Sequence, residues 1–435
     1  MAHATHERTY EFRCPVHGFI EVNDWERSVI DHPVFQRLRR IRQLGWTDYV
    51  YPGSTHTRFE HSLGVMHVVT RMYNAISQQS RAVLQSQLGY DTTGVGTSRD
   101  RQLMRFAALL HDTGHAPFSH ASEELLPNRP GTNRKYGHED YSAEIIRRRL
   151  KDVIEKHPAN ENMRLTVDEI ASLIDGTSGN RRVLFWRELL DGQMDADRMD
   201  YLLRDSLHLG VQYGRFDLDR IVATATAVEM MPEGSAGVEC RLAVAKGGWH
   251  AAVGLILARY FMFTQVYFHK TRVAYDLHLR HALAHMLPGG VFPAPEDDKI
   301  DEYLKWDDWR VLGRLAEGKG GEHGQRLHER RHFRQVWESP ESPLADAQER
   351  LDALRTELGD LLVAAERSEK SWYKTGNPDI RVANEDSDEV QPLSDYSPVV
   401  KQLKEAPHRQ VRLYALPENA DEGRRIVQEK LGGTS

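Results

Sequence analysis

The hydrophobic pattern changes its period near residue 22. Residues 8–22 (RTYEFRCPVHGFIEV) alternate apolar and polar positions around Pro15 and Gly18, which predicts a small β-hairpin. A helical register follows. Val34, Leu38, Ile41 and Leu44 recur at i, i+4, i+7 and i+10 with arginines opposite, so the spacing predicts one helix after Asp31-His32-Pro33. Similar stripes over 59–86, 101–112, 139–155, 165–174, 181–209, 216–228, 249–287 and 299–314 predict a mainly helical domain. Gly-, Ser- and Asn-rich stretches at 88–99 and 128–137 read as loops. Around 316–325 (EGKGGEHGQR) the chain turns to glycine and charge, which predicts a hinge or domain boundary. Beyond it, 341–369 reads as a polar amphipathic helix, 378–384 and 409–416 as strands and 420–431 as a final helix, together a small α+β unit. The acidic stretch 385–390 reads as a solvated loop, and no internal repeat is present. The expected division is 1–22 (hairpin), 23–315 (helical domain) and 316–435 (C-terminal α+β subdomain).

Composition narrows the class without naming a chemistry. With 435 residues the chain is long enough for a large core. Lys and Arg number 57 against 64 Asp and Glu, a net charge of −7, so anionic ligands must be held by local basic clusters and stable nucleic-acid binding is not expected. Cys14 and Cys240 are the only cysteines, too few for a thiolate metal site and consistent with a reducing compartment. The start lacks a signal-peptide core, and the longest apolar run, 251–263, carries Arg259 and falls short of the roughly 18 residues of a membrane span. A cytoplasmic enzyme without a membrane partner is the expectation. The oddity is 22 histidines, whose positions must decide their meaning.

Four segments concentrate His and Asp: Arg58-Phe59-Glu60-His61; ALLHDTGHAPFSHASEE with His111, Asp112, His115, His120 and Glu123; His138-Glu139; and MDADRMDYLLRDS with Asp197, Arg198, Asp200, Tyr201 and Asp205. An apolar helix over 106–110 runs straight into His111-Asp112 before Gly114 and Pro117 break it, and a helix end presenting imidazole beside carboxylate suits a metal. Imidazole and carboxylate ligands together favour Mn, Fe, Co, Ni, Zn or Mg. Singly, each His is as well explained as a hydrogen-bonded core residue and each Asp as a cap or ion-pair partner. Jointly and in this order they are not.

The ordered set His61, His111-Asp112, Asp197 resembles the H…HD…D signature of HD-domain metal-dependent phosphohydrolases. The strings QRLRRIRQLG, VYPGSTHTRFEHSLGV, LLHDTGHAPFSH and DRMDYLLRDSLHLGV resemble more closely the deoxynucleoside triphosphate triphosphohydrolase branch, over roughly 20–315. The resemblance implies a mainly α fold with an HD-domain helical core. It implies that His61, His111, Asp112 and Asp197 bind a divalent metal and that His115, His120 and His138 line the phosphate side. A histidine matching His120 works near the scissile bond in that family, supported by one matching His138 and a carboxylate matching Glu123, where vertebrate members carry Asp. Arg58 and Arg198 match phosphate contacts, Tyr201 and Asp205 match residues facing the sugar, and Gln43-Leu44 match a pair beside the deoxyribose. Tyr267, His269 and Lys270 would approach the phosphates, whereas Val273 and Ala274 depart from the vertebrate pattern, so base preference does not transfer.

The implied reaction is hydrolysis of a deoxynucleoside triphosphate, dGTP among the candidates, to deoxynucleoside and inorganic triphosphate. Anionic oxygens repel a nucleophile, so such a site needs a metal and cations, which Arg58, Arg198 and Lys270 can supply. A histidine with an ordinary pKa near 6.5 can protonate the departing sugar oxygen, and His120 is the expected acid. The alternatives are an HD-type phosphodiesterase or nuclease acting on a cyclic or oligonucleotide, and a nucleotide-sensing module without turnover. By analogy with this branch the chain is expected to form a homo-oligomer, dimer or tetramer, with a regulatory nucleotide. The crowding of Arg37, Arg39, Arg40 and Arg42 on one predicted helix adds modest physical support.

Overall fold

The computed structural model describes residues 9–89, 95–231, 238–296, 298–341, 347–370, 379–384, 387, 389–405 and 408–432. Of the predicted loops, 90–94, 385, 386 and 388 lie outside these residues, whereas 95–99 open a helix and 389–390 open a strand, against the loop reading. The hairpin forms as predicted, β1 (Thr9–Cys14) pairing antiparallel with β2 (Gly18–Asn23). Its turn needs Gly18, whose φ of 78° is costly for a residue with a Cβ. Asn23 then caps α1 (Asp24–Ile30): its side chain accepts from Glu26 N at 2.8 Å, and the Glu26 carboxylate accepts from Asn23 N at 3.0 Å.

The helical centre is built on α2 (Arg58–Gln79) and α3 (Val95–Leu110), which pack together with Val65, Met66, Val68, Val69, Met72, Phe106 and Leu109 fully buried. Burying each such large apolar side chain stabilises by about 1.5–3 kcal/mol. Around this pair lie α4 (His138–Arg149), α5 (Ala196–Leu209), α6 (Trp249–Met262), α7 (Lys270–Met286) and α8 (Asp308–Ala316). The remaining strands are β3 (Ala225–Met230), β4 (Glu239–Ala245), β5 (Arg334–Glu338), β6 (Ala364–Lys370), β7 (Arg381–Asn384), β8 (Glu389–Pro392) and β9 (His408–Ala415). They form a four-stranded sheet in the order β3-β4-β7-β8 and a three-stranded sheet in the order β5-β9-β6. The fold is mainly helical with a sheet-containing C-terminal region. Because β7 pairs with β4 in parallel, and Val382, Leu393 and Val400 join the main core, sheet and core both cross the proposed division at residue 315. A satellite core of Val336, Leu351, Leu354, Leu358, Leu413 and Val427 belongs to the C-terminal part alone.

The stripes over 181–209 and 249–287 are each interrupted, the predicted hinge runs into a helix at Gly321–His328, and three further elements change where tertiary pairing outcompetes local periodicity. The single helix over 34–44 is a short α-helix, Pro33–Gln36, then a 3₁₀ turn, Arg37–Arg40, and Ile41 is extended at φ −122°, ψ 113°. There the backbone bonds sideways instead: Arg58 N donates to Ile41 O and Gln43 N to His56 O. The predicted helix over 216–228 ends at Thr224 and continues as β3, and the one over 341–369 spans only Ala347–Leu358 before β6. The four arginines therefore do not share one helix. Arg37 is buried, 2% exposed, and donates to the carbonyls of Thr113, His115 and Trp306. Arg40 pairs with Asp307 and Arg42 with Asp48, while Arg39 lies over the Phe59 ring.

Asp308, in the first turn of α8, is fully inside and clamps two segments beside the histidine-rich turn. Phe118 N donates to its Oδ1 at 2.7 Å and Arg42 N to its Oδ2 at 2.9 Å. Burial pushes its carboxyl up to about 7 against the pull of those donors. Asp308→Ala strands two inward-facing N–H groups at about 1–3 kcal/mol each, so urea denaturation should show a loss of about 2–5 kcal/mol. A change under about 1 kcal/mol would mean that water replaces both bonds. Among the described residues no single helix is long and apolar enough to cross a membrane.

Candidate active site

The site gathers where the start of α2, the end of α3, the turn after it and the start of α5 meet. Glu60 accepts from Thr57 N at 3.0 Å and so closes the first turn of α2, which places His61 inward. Asp195 accepts from Arg198 N at 2.8 Å, capping α5 and presenting Asp197 in its first turn. Helix α3 stops at Leu110, and His111 is oriented by its Nδ1, which donates to Ala108 O at 2.8 Å.

His61 Nε2 lies 3.0 Å from Asp197 Oδ1 and 3.5 Å from Asp112 Oδ2, and His111 Nε2 lies 3.2 Å from Asp112 Oδ1. Both Nε2 atoms are buried and face carboxylate oxygens without a well-aligned hydrogen bond. Ligand atoms of His61, His111 and Asp112 all fall within 4.8 Å of one another, and Asp197 closes the same space. Burial alone would lower His61, but Asp197, Asp200 and Asp112 outweigh it and push the imidazole up to about 10. Carboxylate charge is in excess there. Orphaned imidazole nitrogens beside surplus carboxylate fit a divalent cation.

A second cluster adjoins the first. His115 and His138 stack with ring centres 3.8 Å apart. Gly114 permits this, since a Cβ there would stand 2.2 Å from His138 O and 2.3 Å from Ser142 N. Glu123 Oε1 is 2.8 Å from His138 Nδ1 and 3.0 Å from His120 Nδ1. The Glu side chain thus reaches both imidazoles with one oxygen. Burial would raise Glu123, but the charges of His120 and His138 hold it well below the usual carboxylate range. For the same reason His138 is pushed up to about 9 against burial. His115, buried and facing Arg58 and His138, is held well below its ordinary value. Of these histidines His120 faces outward, its side chain 61% exposed.

The other expected contacts divide. Arg58 reaches between the clusters, its guanidinium 2.6 Å from Asp112 Oδ2 and donating to Ser119 Oγ at 2.8 Å. Arg198 is buried and donates to Gln193 O at 3.2 Å. Asp205 has both oxygens engaged, by Tyr267 OH at 2.6 Å and His56 Nε2 at 2.7 Å, so it is an internal acceptor here. The Tyr201 ring stands 6.1 Å from Tyr267. Gln43 Oε1 is buried without a partner, and Leu44 packs on the core. His269 instead caps α7, accepting from Thr271 N at 3.2 Å, and Lys270 is exposed in its first turn; among the described residues neither touches the clusters. Sequence reading quoted Asp200 without giving it a role, and gave none to His17, His56, Arg204 and Arg259. Burial and the Arg198 charge hold Arg259 down to about 10, with Tyr201, Asp195 and Asp197 opposing.

Comparison with known proteins agrees with this geometry. Residues 58–205 match the HD domain and 216–366 the HD associated region. The chain is 36% identical to "Uncharacterized protein YwfO" of Bacillus subtilis over 59% of this chain and 51% of that one. It is 34% identical to "Deoxynucleoside triphosphate triphosphohydrolase SAMHD1" of Gallus gallus, over 48% of this chain and 36% of that protein. The chain thus spans about half or less of the length of these curated relatives. A crystal structure of a hypothetical protein from Aquifex aeolicus superposes with a TM-score of 0.77 at 27% identity, covering 97% of this chain and 100% of that one. HD domains are metal-dependent, which accords with the convergent imidazoles and carboxylates. With the His-Asp constellation spatially assembled and both regions matched, the chain belongs with the proteins that join an HD domain to the HD associated region.

Proposed function

We propose that the chain hydrolyses deoxynucleoside triphosphates to deoxynucleoside and inorganic triphosphate, with His61, His111, Asp112 and Asp197 holding a divalent cation. The observation that carries this reading is the pairing of two chemistries side by side. The Nε2 atoms of His61 and His111 converge on Asp112 next to an adjoining imidazole–carboxylate cluster with one solvent-facing member, His120. When bound, the cation supplies neutralisation of phosphate charge and activation of the attacking water. Arg58, Arg198 and Lys270 add positive charge along the phosphates. His120 gives its proton to the departing sugar oxygen, and Glu123 orients its ring while His138 shares that carboxylate. Tyr201 and Gln43-Leu44 flank the sugar in this reading. The similarity to a relative named as a deoxynucleoside triphosphate triphosphohydrolase supports the substrate class.

The proposal extends to a cytoplasmic homo-oligomer, dimer or tetramer, with a regulatory nucleotide. The internal bonds of Arg37 leave Arg39, Arg40 and Arg42 as the candidates from that cluster. The deciding experiment incubates purified protein with each dNTP, singly and in mixtures, with Mg, Mn or Fe, and identifies products by chromatography. Inorganic triphosphate with free deoxynucleoside is expected. Nucleoside monophosphate from a cyclic or oligonucleotide substrate would replace this reading by a phosphodiesterase, and binding without turnover by a sensor. A dGTP preference would appear as the fastest single substrate.

A further inference from the structure

Asp200 lies one layer behind the candidate cation site and is fully buried. Its carboxylate faces four donor positions. Oδ2 is 2.8 Å from His61 Nδ1 and 2.8 Å from Arg204 Nε, while Oδ1 is 2.8 Å from Arg204 NH2 and 2.7 Å from His17 Nε2. A carboxylate offers about four lone-pair sites, so all of them are in use. An ionised Asp200 is acceptor-only, and both imidazoles must therefore present N–H to it. For His61 that places an N–H on Nδ1, and in the neutral ring that binds a cation it leaves the lone pair on Nε2, the atom that faces Asp112 and Asp197. His17 comes from the hairpin, ahead of the matched HD domain at 58–205. Its side chain is buried and its ring stacks on His67 at 5.1 Å.

Gly64 makes the approach possible. A Cβ on it would stand 1.9 Å from Asp200 Oδ1 and 2.4 Å from Arg204 NH2, so a residue with a side chain would drive α2 and α5 apart at this carboxylate. The hairpin is held to the same network by Arg204 NH2, 3.5 Å from Cys14 Sγ.

We infer that His17 is a positioning residue for the cation site: by filling the fourth acceptor position of Asp200 it fixes that carboxylate, which in turn orients His61 Nε2 toward the metal. The inference rests on the reading of His61 as a ligand. It makes the N-terminal hairpin a working part of the site instead of a cover over it. Partners one layer behind a ligating imidazole typically tune metal affinity by about 10- to 100-fold.

The test measures Mn²⁺ affinity of the full chain by competition with a fluorescent chelator, alongside thermal midpoints. His17→Phe keeps the ring and removes the donor, and should weaken binding by about 10-fold. His17→Gln returns an N–H donor and should restore affinity to within about 3-fold of the parent. His61→Ala tests the underlying ligand reading separately: unchanged affinity there removes the ligand, whatever His17 does. If His61→Ala weakens binding while His17→Phe binds as the parent does, the positioning role is wrong and the ligand stands. Equal losses in His17→Phe and His17→Gln would likewise overturn it. A readout that needs no variant is ¹⁵N-histidine NMR of the parent chain. His17 should appear as the Nε2–H tautomer and shift on Zn²⁺ loading, and a His17 signal unmoved by Zn²⁺ overturns the inference even if His17→Phe does not fold.

Discussion

Asp112→Asn is expected to abolish turnover and to strip the metal, a loss larger than the roughly 10- to 100-fold that outer-layer changes cause. Asp112 joins the two histidine clusters and Arg58. It stands 2.6 Å from Arg58, 3.2 Å from His111 Nε2, 3.2 Å from His115 Nε2 and 3.5 Å from His61 Nε2. Burial would raise its pKa, but Arg58, His111 and His115 hold it well below the ordinary range, so it is ionised at working pH. Losing that charge also leaves the buried Arg58 guanidinium uncompensated. Removing one partner of a buried pair costs about 3–5 kcal/mol, so thermal midpoints must accompany the assay. His111→Ala separates the two effects, because His111 Nδ1 bonds to a backbone carbonyl, Ala108 O, at 2.8 Å, and its loss leaves the Arg58–Asp112 pair in place. Metal content by mass spectrometry and turnover should fall together in both variants. Near-normal hydrolysis by either at saturating substrate would sink the cation assignment.

For His120→Ala the expected result is a kcat lower by about 100- to 10,000-fold with metal content unchanged, the usual span for removing a general acid. His120 stands apart from the candidate cation cluster: its Nδ1 meets Glu123 Oε1 at 3.0 Å, and its ring centre lies 4.9 Å from that of His115 and 5.5 Å from that of His138. At 61% exposure its truncation leaves no cavity, so stability should hold and the defect should lie in kcat. Loss of metal in this variant would make His120 a coordinating residue. An unchanged kcat would remove it from the mechanism.

Much of the candidate site is legible in the sequence, for a physical reason. Ligand chemistry admits few residue types, and His61, His111-Asp112 and Asp197 lie at helix starts and ends whose caps and breakers are local signals. The hairpin was legible because period-two alternation around Gly18 has no competing helical reading. Asp200 was visible as a helical neighbour of Asp197, but nothing local says that its carboxylate turns away from the cation space toward His17, 183 residues distant. His56 and Tyr267 converge on Asp205 in the same hidden way.

The amino-acid order by itself determined the residue chemistry, the mainly helical class and the ends of the elements that carry His61, His111-Asp112 and Asp197, since these depend on side-chain type and on contacts within a few residues. Tertiary structure decided the rest. It broke the predicted 34–44 helix because Arg58 N and Gln43 N found carbonyl partners across the chain. It turned Arg37 from a surface cation into an internal donor to Trp306, and Asp205 into an acceptor enclosed on both oxygens. Those outcomes turn on which donor reaches which buried acceptor. That is settled by the distances between elements far apart in the chain, where an unpaired polar group costs more than any local propensity returns.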